Sequence, residues 1–294
     1  MKLLGTIVAA FAALAVGGQP ALAQQPPAGA DPWDLKQNAE SCYLARSFGS
    51  GDNKIDVLIQ SFGSTTPYHV ILRGGQLPHL ANRAVVARVG FGGRIAAEDV
   101  FVLVGSAGKA PMAVFAASPP HPGTIYMMGA RYLGTYSEAK VGTRIDPAGD
   151  VLSIEMPGMV PLSLPIGAMQ MEYARLDGCA QALEDKWSVA ASAGAKPAVG
   201  PVLQDPDEVS WHMKYPEDML LHRISGLVEL RATIDGKGHA HDCVVQMSTW
   251  SSRFGEASCN HLENIAHFAP ARDAQGNPVS ALFHATAIFV IYNW

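Results

Sequence analysis

The sequence predicts an α+β chain in two parts: a β-rich N-terminal domain with a closing helix, then a small domain in which an antiparallel three-stranded sheet packs with two helices. Two observations predict it. From Trp33 to Trp187, short apolar runs are cut at close intervals by Gly and Pro, the pattern of short strands joined by turns. After residue 202, helical and strand periodicities follow one another as helix, hairpin, helix, strand. A length of 294 residues suits two domains of ordinary size.

The chain begins with an export pattern. Lys2 supplies a positive start, Leu3 to Val16 is apolar, and Ala21-Leu22-Ala23 fits small-x-small cleavage. The apolar run of about 14 residues is shorter than the ~20 that a spanning helix needs, so cleavage after Ala23 and a periplasmic destination are expected rather than an anchor. No later stretch is long and apolar enough to span a bilayer, and Gln24 to Ala30 reads as a loose Pro/Gln/Ala-rich leader.

In the first domain (24–187), Ile55–Gln60 and Tyr68–Leu72 flank the turn Gly63–Pro67, and Gly74-Gly75 stops the second run. Ala84–Val89, Val100–Val104, Met112–Phe115, Thr124–Met127 and Val151–Met156 are further strand candidates. Gly167 to Trp187 changes period: Met169, Met171, Ala174, Leu176, Ala180 and Leu183 fall near helical spacing with no proline between them. Ser188 to Gly200 is rich in Ala, Ser, Gly and Pro without periodicity, which predicts a linker over 188–201 and a second domain over 202–294.

There are four cysteines, Cys42, Cys179, Cys243 and Cys259. An even count in an exported chain favours disulfides, and three connectivities are possible. A Cys42–Cys179 bond would tie the first element of the first domain to its last. A Cys243–Cys259 bond would pin a helix to a strand across a loop of about 15 residues, roughly 3 kcal/mol in the loop-entropy model.

In the second domain, Tyr215-Pro216 precedes Glu217-Asp218 at a helix start, and Gly226 is expected to end that helix. Val228, Leu230, Ala232 and Ile234 alternate with Glu229, Arg231 and Thr233, predicting a strand with its polar face in water. Asp235-Gly236-Lys237-Gly238 turns the chain back through His239–Ser248. Phe254–Phe268 reads as a helix stopped by Pro270, and Leu282–Ile291 as a last long strand.

These pieces, in this order, resemble the TonB C-terminal domain family. Tyr215, Pro216, Gly226 and Gly236 fit its pattern. The most specific stretch runs from Phe268 through Pro270, Ala271, Asp273 and Gly276 to Pro278-Val279, similar to the family's F-x-P-A-x-D-x-x-G-x-P-V signature. The resemblance covers roughly 215–291. It implies a non-enzymatic interaction domain whose last strand lies at a sheet edge and accepts an extended peptide from an outer-membrane or periplasmic protein, or a second copy of itself. Here the residues concerned are Leu282, His284, Thr286 and Ile288. Family members that transduce energy keep a membrane helix and a long Pro-rich spacer; neither is evident here.

Other chemistry is disfavoured. A net charge of −5 without clustered Lys and Arg argues against nucleic acid. His239, His241 and Cys243 alternate on one strand, but a disulfide would consume the thiolate that a metal needs, so neither metal nor cofactor is expected. Gly105-Ser106-Ala107-Gly108 has the wrong spacing for a nucleophile elbow, and Gly90–Gly93 lacks the Lys and Ser/Thr of a phosphate loop. No catalytic residue is assigned. An enzyme would require titratable groups converging in a pocket of the first domain.

Overall fold

The computed structural model describes residues 32–118, 127–132, 142–192 and 197–291, with 127–132 described by their backbone alone. The export pattern of Met1–Ala23 and most of the strand expected over Thr124–Met127 lie outside the described residues. Among the described residues eleven strands come first: β1 (Asp34–Gln37), β2 (Cys42–Phe48), β3 (Ile55–Ser61), β4 (Tyr68–Gly74), β5 (Arg83–Gly90), β6 (Glu98–Ala107), β7 (Ala110–Ser118), β8 (Met127–Tyr132), β9 (Gly142–Arg144), β10 (Val151–Glu155) and β11 (Leu162–Pro165). Helix α1 (Gln170–Ala191) follows. The remainder holds β12 (Val202–Leu203), α2 (Pro206–His212), α3 (Glu217–Leu221), β13 (Gly226–Ile234), β14 (Ala240–Ser248) and α4 (Ser252–Asn264). It ends with β15 (Phe268–Ala269), β16 (Ala271–Arg272), β17 (Pro278–Val279) and β18 (Ala281–Ile291).

The first sheet runs β1-β2-β3-β4-β7-β6-β5-β10-β11, antiparallel at every step, with β9 added in parallel against β7. Its two ends meet. Trp33 Nε1 and Arg46 Nη1 both donate to Ile166 O, at 3.1 and 2.8 Å. Alternation selects the inner face: in β3, Ile55, Val57 and Ile59 point inward while Asp56, Leu58 and Gln60 are half-buried. The core so formed is closed by α1, which buries Tyr173, Leu176, Ala180, Leu183 and Trp187 at steps of three or four residues. Met171, expected on that stripe, is 73% exposed, because it falls outside this spacing. The helix runs through Ala191, into the segment read as linker, and Ala198 and Val199 both bond Arg272 O.

The second sheet is β14-β13-β18-β8. The expected three antiparallel strands are present, and the first domain's β8 joins them in parallel. One face packs on α4 and on Val209 and Met213, with Val228, Leu230, Phe283 and Phe289 at its centre. Two boundaries differ from expectation. Helix α3 stops at Leu221, and Gly226 opens β13, where a Cβ would lie 2.4 Å from the Phe254 ring. Helix α4 stops at Asn264, and Phe268 pairs with Leu203 in a short two-stranded ladder.

Both sulfur bridges tie helix to strand. Cys42 at the start of β2 bonds Cys179 on α1, with Cα atoms 6.1 Å apart, and Cys243 on β14 bonds Cys259 on α4, at 5.6 Å. The described residues cluster as one compact unit. A third apolar cluster explains it: Phe101, Leu103 and Val114 on the outer face of the first sheet meet Leu227, Ile288 and Val290 of the second. Strand β6 is therefore buried on both faces, as its unbroken run Val100–Val104 requires.

Candidate functional site around the last strand

Strand β18 sits between two neighbours. It pairs with β13 from Ala281 to Phe289, and over Thr286–Ile291 with β8 on its other side. A free edge along the whole strand is thus corrected: the backbone of Thr286 and Ile288 lies in mid-sheet, and among the described residues Ala281–Ala285 pairs with β13 alone, as Val290 and Ile291 pair with β8 alone. The pleat divides its side chains. Phe283, Ala285, Ala287 and Phe289 point to α4, whereas Leu282, His284, Thr286 and Ile288 point to the first domain.

That second face meets matched groups. Leu282 packs on the rim of the first core and Ile288 lies in the cluster between the sheets. Thr286 Oγ1 donates to Glu229 Oε2 at 2.7 Å, and the His69 Nε2 of β4 stands 3.3 Å from the same oxygen. The His69 geometry is a close polar contact, not an aligned hydrogen bond, since both its ring nitrogens lack a hydrogen-bond partner. Both side chains are fully buried. Arg231, beside His284 in register, donates to both oxygens of Glu40 at 3.0 and 3.1 Å and lies 4.8 Å over the Trp187 ring. Gln246 Nε2 of β14 donates to Glu40 O and Phe62 O. The polar face of β13, expected in water, is therefore covered: Glu229 is fully buried and Thr233 only 9% exposed, and the first domain supplies His69 beside Glu229 and Glu40 to Arg231.

His284 lies on the same face. Its ring lies 6.1 Å from that of Trp187, and both nitrogens are buried without a hydrogen-bond partner. Burial lowers its pKa to about 4; Arg231 pushes the same way, while Glu184 and Glu40 oppose. A histidine shifted down from 6.5 contributes stability that is fully present above the unfolded value and is lost as pH falls through the folded one. Urea unfolding at pH 7 and pH 4.5 is expected to show the wild-type protein losing about 2–3 kcal/mol more than His284→Gln between the two. Equal losses would place the acid sensitivity elsewhere.

Beside the open half of β18 lies a cavity of about 420 Å³, within the ~300–1,000 Å³ range of ligand clefts. Glu184 and Ser188 of α1, with Ser192 capping its end, form one wall, residues 197 and 199–202 another, and Ala281–His284 the third. Sequence reasoning missed Glu184. The spacing of Glu184, Ser188 and Ser192 at four-residue steps was visible, but not that β18 would face them. Ser188, His284 and Glu184 line one cavity, yet among the described residues no hydrogen bond joins any two of them, so a nucleophile-base relay is not assembled.

The other motif residues build the frame. The Tyr215 hydroxyl donates to Ile224 O at 2.6 Å, and its ring meets Phe254 and Phe289 edge-on. Asp273 accepts from the amides of Gln275 and Asn277 and from Asn277 Nδ2, which holds its carboxyl below the usual range and fixes the turn at Gly276. Gly236 lies in the hairpin turn, where Asp235 Oδ1 accepts from the amides of Lys237 and His239. Phe268 stacks edge-on against Phe283, Ala271 is fully buried, and Pro278 pairs with Arg272. Pro216 caps α3 and Pro270 separates β15 from β16. The His239–His241–Cys243 alternation is broken by Asp242, whose φ is 52°, and Cys243 is spent in its disulfide. Among the described residues no group of three or more His, Cys, Asp or Glu is placed to hold a metal.

A small sheet backed by helices, with its polar face covered by the first domain, places this part of the chain in the α+β class. Residues 211–291 match the family described as the Gram-negative bacterial TonB protein C-terminal. No curated protein matches the chain. Among the described residues no helix is long and apolar enough to cross a membrane.

Proposed function

We propose that this chain is an exported periplasmic protein in which the second domain (202–294) is a protein- or peptide-interaction module of the cell envelope, and the first (24–187) is a platform docked on it. The partner is an extended segment of an outer-membrane or periplasmic protein, added as a strand along Ala281–Ala285. One observation carries this reading: among the described residues β18 has strands on both flanks over Thr286–Phe289, and its Ala281–Ala285 half, paired with β13 alone, borders the 420 Å³ cavity. The cavity rim supports it, since Val199 and Val202 are 59% and 46% exposed. Leu282 and His284 thus stay in the proposed contact region, and Thr286 and Ile288 serve the contact between the domains.

A photoreactive residue placed at Val202, in the exported protein in its own compartment, tests the reading. The expected product is a heterologous adduct at Val202 that is missing when the same group is placed at Val160, which is 83% exposed and lies outside the cavity lining. No adduct, or equal capture from both positions, overturns it.

A further inference from the structure

We infer that the cavity beside the open half of β18 is a binding site for a primary ammonium group on an aliphatic stem, such as a lysine side chain of the docked segment. The inference names what a partner lying along Ala281–Ala285 presents, and to that extent rests on the reading above.

Charge comes first. Four ionisable groups meet here: Glu184, His284, Arg231 and Glu40. Arg231 and Glu40 satisfy each other through two hydrogen bonds and leave no net charge between them. Burial keeps His284 neutral at pH 7. Glu184 accepts one amide hydrogen, from Ser64, and among the described residues it forms no ion pair. The cavity wall therefore carries one carboxylate charge without a cation. The imidazole and this carboxylate sit on the same spot of backbone: a Cβ on Gly63 would lie 2.9 Å from His284 Cε1 and 3.3 Å from Glu184 Oε2.

The acceptors then select the donor. A neutral imidazole offers one lone pair, Glu184 offers the oxygen not taken by Ser64, and Ser188 adds a hydroxyl on the same wall. An ammonium has one charge and three donors on a compact head, and it suits scattered single acceptors. A guanidinium wants both oxygens of one carboxylate side by side, and here one is engaged by Ser64. Val199, Val202 and Leu282 give the lining an aliphatic part that suits the stem.

The test uses the full exported protein with both disulfides and four probes in calorimetric titration. The Nα-acetyl N-methylamides of lysine, norleucine and arginine share a backbone; norleucine keeps the stem and loses the ammonium. Glycyl-valine amide carries its only ammonium at the chain start. The lysine probe is expected to bind at least about tenfold tighter than the norleucine and arginine probes. Glu184→Gln is expected to remove that preference, and Glu172→Gln, at the far end of α1, to leave it unchanged. Tighter binding of glycyl-valine amide keeps the ammonium site and assigns its source to a chain terminus. Equal affinities for lysine and norleucine on the unmodified protein overturn the proposal whether or not the variants fold. A Val202 adduct without ammonium preference defeats this inference alone, and ammonium binding without the adduct defeats only the docking of a segment.

Discussion

Replacing Cys42 and Cys179 together by alanine is expected to lower the unfolding free energy by about 3–5 kcal/mol, against about 3 kcal/mol for the Cys243/Cys259 pair. The difference comes from the unfolded chain. The first bridge closes a separation of 137 residues and the second one of 16, and the entropy withheld from the denatured ensemble grows with the logarithm of loop length. Packing adds to it, because Cys42 is fully buried where β2 meets α1. Double replacement avoids leaving a lone thiol. Urea unfolding followed by tryptophan fluorescence measures both pairs, since Trp33 and Trp187 belong to the first core and Trp250 to the cluster between the sheets. A larger loss from the Cys243/Cys259 pair would contradict the loop-length account. Both variants are also expected to unfold in one transition, because the apolar cluster between the sheets couples the two cores.

Local signals carried far in this chain. The Gly and Pro punctuation marked β3, β4, β5, β6, β7 and β10 to within a few residues, and the change of period at Gly167 marked α1. The positions of the four cysteines suggested the two bridges that the fold contains. The turn residues Asp235 and Asp273 act as their sequence contexts predict, because an Asp side chain bonds amides only two to four residues away. What the sequence did not disclose is non-local. Alternation in β13 says that Glu229, Arg231 and Thr233 share a face, but not whether that face meets water or another sheet. The unbroken run Val100–Val104 held the missing clue: a strand without polar alternation is buried on both sides, so the first sheet needs a cover on its outer face. The pairing of β8 with β18 left no comparable trace, since parallel partners far apart in sequence are joined by no turn signal.

The covering face is polar in places, and this turns a packing question into a pH question. His69→Ala is expected to cost about 3–5 kcal/mol at pH 7, because it leaves Glu229 buried with Thr286 as its remaining side-chain partner. Burial already raises the Glu229 pKa, while His69 and Thr286 pull it down; without His69 it rises further. A carboxyl raised above its unfolded value of 4.5 contributes stability that is fully present below that value and is lost as pH rises through the folded one. The deficit of His69→Ala is therefore expected to shrink as pH falls from 7 towards 4.5, opposite in sign to the acid loss expected from His284. Glu229→Gln keeps the volume and a partner for Thr286 but removes the charge, so it is expected to be milder than His69→Ala and to absorb most of its cost in the double variant. Urea unfolding of the two single variants and the double one at pH 7 and pH 5 measures this coupling. Strict additivity at pH 7 would mean that His69 and Glu229 do not act as a pair. The join between the sheets would then rest on its apolar cluster, and its polar groups would be tolerated there rather than selecting the register in which β4 meets β13 and β18.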